Sequence, residues 1–217
     1  MGIFPKGWFR KGTRIRLRQT GTGPVRWESI EEELMRESAP ALMENLEDPD
    51  PFVRAVSAEV LGRLRETSSV PSLIHTLKDP SKYVREKAAL ALGHLGDKKA
   101  VPALIEALND TAEEVRVTVA GVLGHLRDRA AVPALIQALK DSSPHTRMKS
   151  VVSLGIIGDE SAIPALYLTL EDENDLVRKY ACEALGSIGR AAIPALLKAL
   201  KNERMRAHAA QAITKIK

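Results

Sequence analysis

The chain of 217 residues holds a single cysteine, Cys182, and only 4% of its residues are aromatic. One thiol excludes an internal disulfide and fits a reducing, cytoplasmic setting. With so few aromatic rings and 44% apolar residues, the interior has to be filled by Ala, Val, Leu and Ile, which pack between short helices. No run approaches the roughly 18 apolar residues of a membrane span. The first twenty residues carry charges where a secretory leader needs its apolar stretch. Lys6 stands where an N-myristoylation signal needs Ser or Thr. A soluble protein is therefore expected. Acid is missing from residues 1–27, where Lys6, Arg10, Lys11, Arg14, Arg16, Arg18 and Arg26 give a local charge of +7. Against the total of +4, the rest of the chain sums to 4 − 7 = −3.

What the chain does have is a period. Pro40, Pro71, Pro102, Pro133, Pro164 and Pro194 are spaced by 31, 31, 31, 31 and 30 residues. A fixed interval of this length marks units that bury their apolar faces only by stacking on one another. Proline is tolerated at the start of a helix, where its absent N–H would have no partner. Each proline therefore opens a short helix A, as in Val101-Pro102-Ala103-Leu104-Ile105-Glu106-Ala107-Leu108, which ends at a polar turn such as Asn109-Asp110-Thr111. Val115, Val119, Ala120, Leu123 and Leu126 then recur at helical spacing and define helix B. Glycine recurs inside helix B at 62, 93, 124, 155 and 186. Because glycine costs a helix roughly 1 kcal/mol relative to alanine, its recurrence points to close backbone approach between neighbouring helices. The expected fold is all-α, an α-solenoid of stacked antiparallel helix pairs: about five 31-residue repeats and a shortened sixth over 38–217. A basic aromatic arm at 1–27 and a capping helix at 28–37 precede them.

Two charged series keep the same period: Asp48, Asp79, Asp110, Asp141 and Asp172, each followed six residues later by Arg54, Arg85, Arg116, Arg147 and Arg178. A catalytic carboxylate or a phosphate clamp is needed once. A group present in every unit caps turns and pairs charge between neighbours. Cys182 stands at a small-residue core position shared with Ala58, Ala89 and Ala120, which argues against a nucleophile.

The pattern Val-Pro-Ala-Leu-Ile-x-Ala-Leu-x-Asp, followed by Val-Arg and an Ala-Leu-Gly segment, resembles HEAT repeats of the phycobilisome-lyase-like type, and it covers over four-fifths of the chain. This repeat is similar to modules of bilin lyase subunits, adaptor proteins, deoxyhypusine hydroxylase and artificial binding scaffolds. The resemblance implies that helix A lies on the convex side and helix B on the concave side, with Asp and Arg forming a ladder along the stack. Departures occur: Thr146 replaces the valine before the ladder arginine. Arg65 and Arg127 replace the glycine that ends helix B elsewhere (Gly96, Gly158, Gly189).

If helix B lines a groove, the residues one, two, five and nine after each ladder arginine point into it. Repeat A supplies Ala55, Val56, Glu59 and Arg63, and repeat B supplies Glu86, Lys87, Leu90 and His94. Repeat C supplies Val117, Thr118, Gly121 and His125; repeat D, Met148, Lys149, Val152 and Ile156; repeat E, Lys179, Tyr180, Glu183 and Ser187. The middle is apolar and the ends are charged, as in a contact surface for another protein. The competing expectation is that these side chains pack on one another and leave little exposed.

No catalytic constellation is read from the sequence, so a non-enzymatic scaffold is expected, with no cofactor. His94 and His125 occupy one repeat position, but a metal needs more ligands than two and none is expected there. The iron ligands of the hydroxylase would be His-Glu pairs. Here His75, His94, His125, His145 and His208 precede Thr, Leu, Leu, Thr and Ala. A bilin is implied only by the resemblance to lyase subunits. The arm interleaves Phe4, Trp8, Phe9 and Trp27 with its basic residues. It can cap the first repeat, remain solvated, contact a protein, or meet nucleic acid or an anionic membrane surface. Arg14-Ile-Arg-Leu-Arg18 alternates as a short strand would.

Overall fold

In a computed structural model, residues 38–216 are described. The arm at 1–27, its strand-like stretch and the capping helix at 28–37 lie outside them. Twelve α-helices follow in pairs: α1 (Ala39–Glu44), α2 (Pro51–Arg63), α3 (Val70–Thr76), α4 (Lys82–Leu95), α5 (Val101–Ala107), α6 (Glu113–Leu126), α7 (Val132–Ala138), α8 (Pro144–Ile157), α9 (Ile163–Leu168), α10 (Asp175–Ile188), α11 (Ile193–Ala199) and α12 (Arg206–Thr214). Odd-numbered helices are the A helices and even-numbered ones the B helices. No strand occurs among the described residues. Every A helix carries its proline at the first or second position, as the spacing predicts.

Two leucine series build the core. Leu61, Leu92, Leu123, Leu154 and Leu185 on the B helices face Leu73, Leu104, Leu135, Leu166 and Leu196 on the A helices, and all ten are fully buried. At roughly 1.5–3 kcal/mol for each fully buried leucine, this repeated pair is the main term holding each unit to the next. Each B helix packs on its own A helix and on the B helices before and after it. The close approach is real: a Cβ placed on Gly62 would lie 2.6 Å from Ala91 Cα, inside contact distance.

Short 3-10 turns, which the sequence pattern did not reveal, join each B helix to the following A helix at 67–69, 98–100, 129–131, 160–162 and 190–192. Four of them open on an acid whose side chain accepts a backbone N–H two residues on: Glu66 from Ser68, Asp97 from Lys99, Asp128 from Ala130 and Asp159 from Ser161. Asp97 and Asp128 are thus turn-forming groups. Thr146 is fully buried and its hydroxyl oxygen has no hydrogen-bond partner, so the departure from valine places an unsatisfied polar atom in the core.

Candidate functional site

The Asp and Arg series form the ladder, and its register is now explicit. Each ladder aspartate accepts the backbone N–H two residues on through Oδ1, which turns the chain into helix B. Each arginine donates Nη1 to the backbone carbonyl of its own unit's aspartate, which fixes the guanidinium plane. The remaining Nε/Nη2 edge grips the aspartate of the next unit in a bidentate pair. Arg54 holds Asp79 at 2.6 and 2.9 Å, Arg85 holds Asp110 at 2.6 and 2.7 Å, Arg116 holds Asp141 at 2.7 and 3.0 Å, and Arg147 holds Asp172 at 2.8 and 2.9 Å. Burial by itself pushes the carboxyls of Asp79, Asp110, Asp141 and Asp172 up. The arginine and backbone hydrogen bonds outweigh it and hold all four below their ordinary value. These groups hold the units together, and each is committed on every side.

The ladder stops at repeat E. Asn202 takes the aspartate position and keeps the turn by accepting the N–H of Arg204, but its amide Nδ2 donates to Glu171 instead of receiving an arginine. Arg178 pairs within its own helix with Asp175. A cavity of about 490 Å³ lies beside it, lined by Glu173, Asp175, Arg178, Arg204, Met205 and His208. His208 stands six residues after Asn202, where a ladder arginine would be.

The B helices bring the sequence-designated groove residues onto one layer. Leu90, Val117, Thr118, Met148, Lys149, Val152 and Tyr180 are half-buried, while His94, His125 and Ile156 are exposed. Ala55, assigned to the groove by position, is buried. Part of this face is closed by its own contacts. Glu59 pairs with Lys87 at 2.6 Å, and Thr118 donates a 3.5 Å hydrogen bond to Glu86. The Lys149 stem crosses Gly121, where an added Cβ would meet its Cδ at 3.3 Å. These contacts cover part of the face in repeats A to C, while Arg63, His94 and His125 stay exposed there.

The face opens further along. Between α8 and α10 lies a cavity of about 540 Å³, lined by Val152, Ile156, Tyr180, Glu183, Ser187 and Arg127 together with the backbone at Gly155 and Gly158. That volume falls within the range of ligand pockets, roughly 300–1,000 Å³. Its walls offer apolar side chains, an aromatic ring, one cation and one anion. In the sequence Arg127 stands out only as a departure from glycine. The signal that it belongs here is its place two residues after His125.

Cys182 has no exposed surface, and burial, with Glu183 nearby, pushes its thiol up to about 11. It is a packing residue in the small-residue series. None of the helices among the described residues is long and apolar enough to cross a membrane.

A family model for HEAT repeats matches residues 39–116, 101–169 and 166–217. No curated protein matches the chain. Among solved structures, the complex of CpcE and CpcF of phycocyanin lyase from Nostoc sp. PCC7120 is similar over 92% of this chain and 80% of that one, at 27% identity and a TM-score of 0.63. A designed armadillo repeat protein in complex with the peptide (KR)4 is similar over 82% of this chain and 99% of that one, at 21% identity and a TM-score of 0.60. An engineered protein covers 82% of this chain and 96% of its own, at 20% identity and a TM-score of 0.60. With proline-led A helices, an Asp–Arg ladder and a family match running from residue 39 to the C-terminus, the chain belongs to the HEAT-repeat family.

Proposed function

We propose that this protein is a non-enzymatic scaffold that captures a segment of another protein on the outer face of its B-helix layer, the side that the family resemblance places on the concave surface. The observation that carries this reading is the cavity between α8 and α10, whose walls are Val152, Ile156 and Tyr180. Ile156 is 39% exposed, although the adjoining B-helix residues Val151, Leu154 and Leu185 are fully buried. An apolar side chain that stays open inside a formed pocket is where a partner's anchor residue gains most from leaving water. Leu90, His94, Val117, Thr118, His125, Met148 and Lys149 continue the same face toward the N-terminal repeats.

The test is substitution of Val152→Asp and Ile156→Asp, with co-purified partners from the native host quantified against the unmodified chain. Each aspartate places a carboxylate where an apolar wall residue stood, so partner recovery should fall at least tenfold while the helical circular dichroism is unchanged. Recovery equal to that of the unmodified chain would overturn the assignment.

A second reading has one observation in its favour, the likeness to the phycocyanin lyase pair CpcE and CpcF. In that reading the chain is a lyase-type subunit that binds a linear tetrapyrrole or acts on a phycobiliprotein. Mixing the protein with a bilin should then produce a red-shifted, protein-bound visible band. A colourless protein fraction after gel filtration removes this reading. A nucleic acid or an anionic membrane as the partner of residues 1–27 is tested by salt-dependent retention on each, which deletion of those residues should abolish.

A further inference from the structure

Only two non-glycine residues among the described ones have positive φ, and both are arginines at the same repeat position: Arg65 at 53° and Arg127 at 51°. The equivalent residues in repeats B, D and E are Gly96, Gly158 and Gly189. A side chain with a Cβ is held in this left-handed region at a cost that glycine avoids. An added Cβ at Gly96 or Gly158 would meet nothing within 4 Å, so this position selects for backbone conformation and leaves the side chain free to point into solvent. Strain of this kind, kept at two units and relieved at three, directs attention to what the arginines do.

Their surroundings answer in part. Arg63, His94 and His125 occupy the last turns of α2, α4 and α6, beside Arg65 and Arg127 at the helix ends. All five are exposed. Among the described residues, no hydrogen bond or ion pair engages the guanidinium of Arg63, Arg65 or Arg127. The acids near this end have other hydrogen-bond or ion-pair partners: Glu59 pairs with Lys87, Asp128 with Lys98, and Glu66, Asp97 and Asp128 accept the backbone N–H groups of the 3-10 turns, while Glu183 shares the cavity wall with Arg127. Arg127 itself lines the cavity of Val152, Ile156 and Tyr180. The result is a set of three arginines without hydrogen-bonded or ion-paired partners among the described residues, at the C-terminal ends of α2 and α6, the last of them on the wall of the cavity that holds Val152, Ile156 and Tyr180.

We infer that this rim selects a partner segment that is acidic as well as apolar, carrying carboxylates to Arg63, Arg65 and Arg127 and an apolar side chain to the pocket. The inference rests on the proposed capture of a protein segment by the B face and names the chemistry of that segment. Its warrant is charge complementarity: among the described residues, three exposed guanidiniums, Arg63, Arg65 and Arg127, have no hydrogen-bonded or ion-paired acid, against Glu183 as the one acid on the cavity wall, and rim charges set the choice of partner and the salt dependence more than the depth of binding.

The probe follows from the geometry. Five B helices at a spacing of roughly 8–10 Å span about 36 Å, which an extended segment of about twelve residues covers. The full chain is titrated by fluorescence anisotropy into a labelled peptide (Glu-Leu-Ser)4, and into (Lys-Leu-Ser)4 as the charge-reversed control. The acidic peptide should bind at least tenfold more tightly, with affinity falling as salt is raised. The double variant Arg65→Gly, Arg127→Gly should weaken that binding roughly tenfold, as two exposed charge pairs predict, yet raise the melting temperature by about 2–4 °C per site as the strain is relieved. Arg65→Lys with Arg127→Lys should retain most of the affinity. Equal binding of the two peptides, or a glycine double variant that binds like the unmodified chain, overturns the inference. If Val152→Asp and Ile156→Asp abolish binding while the glycine variant does not, the pocket stands and the acidic selectivity fails. If neither pair of substitutions matters, both readings fail.

Discussion

Replacing Arg116 with alanine is expected to lower the unfolding free energy by about 3 kcal/mol, the range for stripping one partner from a buried ion pair. The side chains of Arg116 and Asp141 are 14% and 13% exposed, so water does little to replace the lost guanidinium. The substitution removes the bidentate grip on Asp141 and the bonds to the carbonyls of Asp110 and Thr111. It leaves the Asp141 carboxylate with only the N–H of Ser143. Asp141→Asn supplies the second arm of a cycle, because an amide can keep the turn bond to Ser143 as Asn202 does to Arg204. The double variant should then lose about 1–2 kcal/mol less than the two single losses added together. Urea unfolding at neutral pH measures all three.

The same rung makes an acid prediction. The Asp141 carboxyl is held below its ordinary value of 3.8 when folded, so its contribution is fully present above that pH and is lost as pH falls through the lowered folded value. The difference in stability between the unmodified chain and Arg116→Ala should therefore be constant from neutral pH to about pH 5 and close only below about pH 4. A difference that closed near neutrality instead would mean that a histidine, not the ladder, carries it.

How far the sequence reveals these features depends on whether a feature repeats. The starts of the A helices, the leucine series and the membership of Cys182 in the small-residue core all repeat, and averaging over units makes them legible. The ladder was legible as a pairing between neighbours, but its geometry was not. That one guanidinium would bind its own unit's carbonyl and the next unit's carboxylate is a matter of side-chain reach, which spacing alone does not encode. The 3-10 turns went unread because Glu66, Asp97, Asp128 and Asp159 resemble any solvated loop acid, and only the backbone N–H two residues on distinguishes them. On the B face, the contacts that cover part of repeats A to C, such as Lys149 across Gly121, join positions that do not repeat. The pocket between α8 and α10 is likewise a single event. Val152, Ile156, Tyr180, Glu183 and Ser187 are groove positions by spacing, but nothing in their order separates them from the rest, and Arg127 is not among those positions. Arg65 and Arg127 had a readable signal, since a residue aligned with Gly96 and Gly158 inherits their left-handed backbone. The end of the ladder had one too, in the last interval of 30 residues and the substitution of Asn202 and His208 for Asp and Arg.

Gly124→Val is expected to cost about 3 kcal/mol or more, the upper range for overpacking a core. A Cβ at this position would sit 2.4 Å from Ser153 Oγ, 2.6 Å from its Cβ and 2.8 Å from its Cα, so a rotamer change cannot relieve the clash and α6 and α8 must separate. Separation also breaks the bond from Ser153 Oγ to the Ala120 carbonyl, 2.7 Å long, which crosses between the same two helices and is 1% exposed at the serine. Gly124→Ala introduces the same Cβ without the branches and gains helix propensity of roughly 1 kcal/mol, so a net loss of about 1–2 kcal/mol is expected. Gly158→Ala is the matched control. Nothing lies within 4 Å of its added Cβ, and only the backbone at φ 71° resists, at roughly 1 kcal/mol. The two glycines therefore separate by what they protect: one the distance between helices, the other a chain reversal. Because stacked units are held only by their neighbours, forcing α6 from α8 should also split the thermal transition, with the units before and after the break melting apart. Circular dichroism melting curves of the three variants test this, and a single sharp transition in Gly124→Val at unchanged temperature would refute the close packing on which the stack is built.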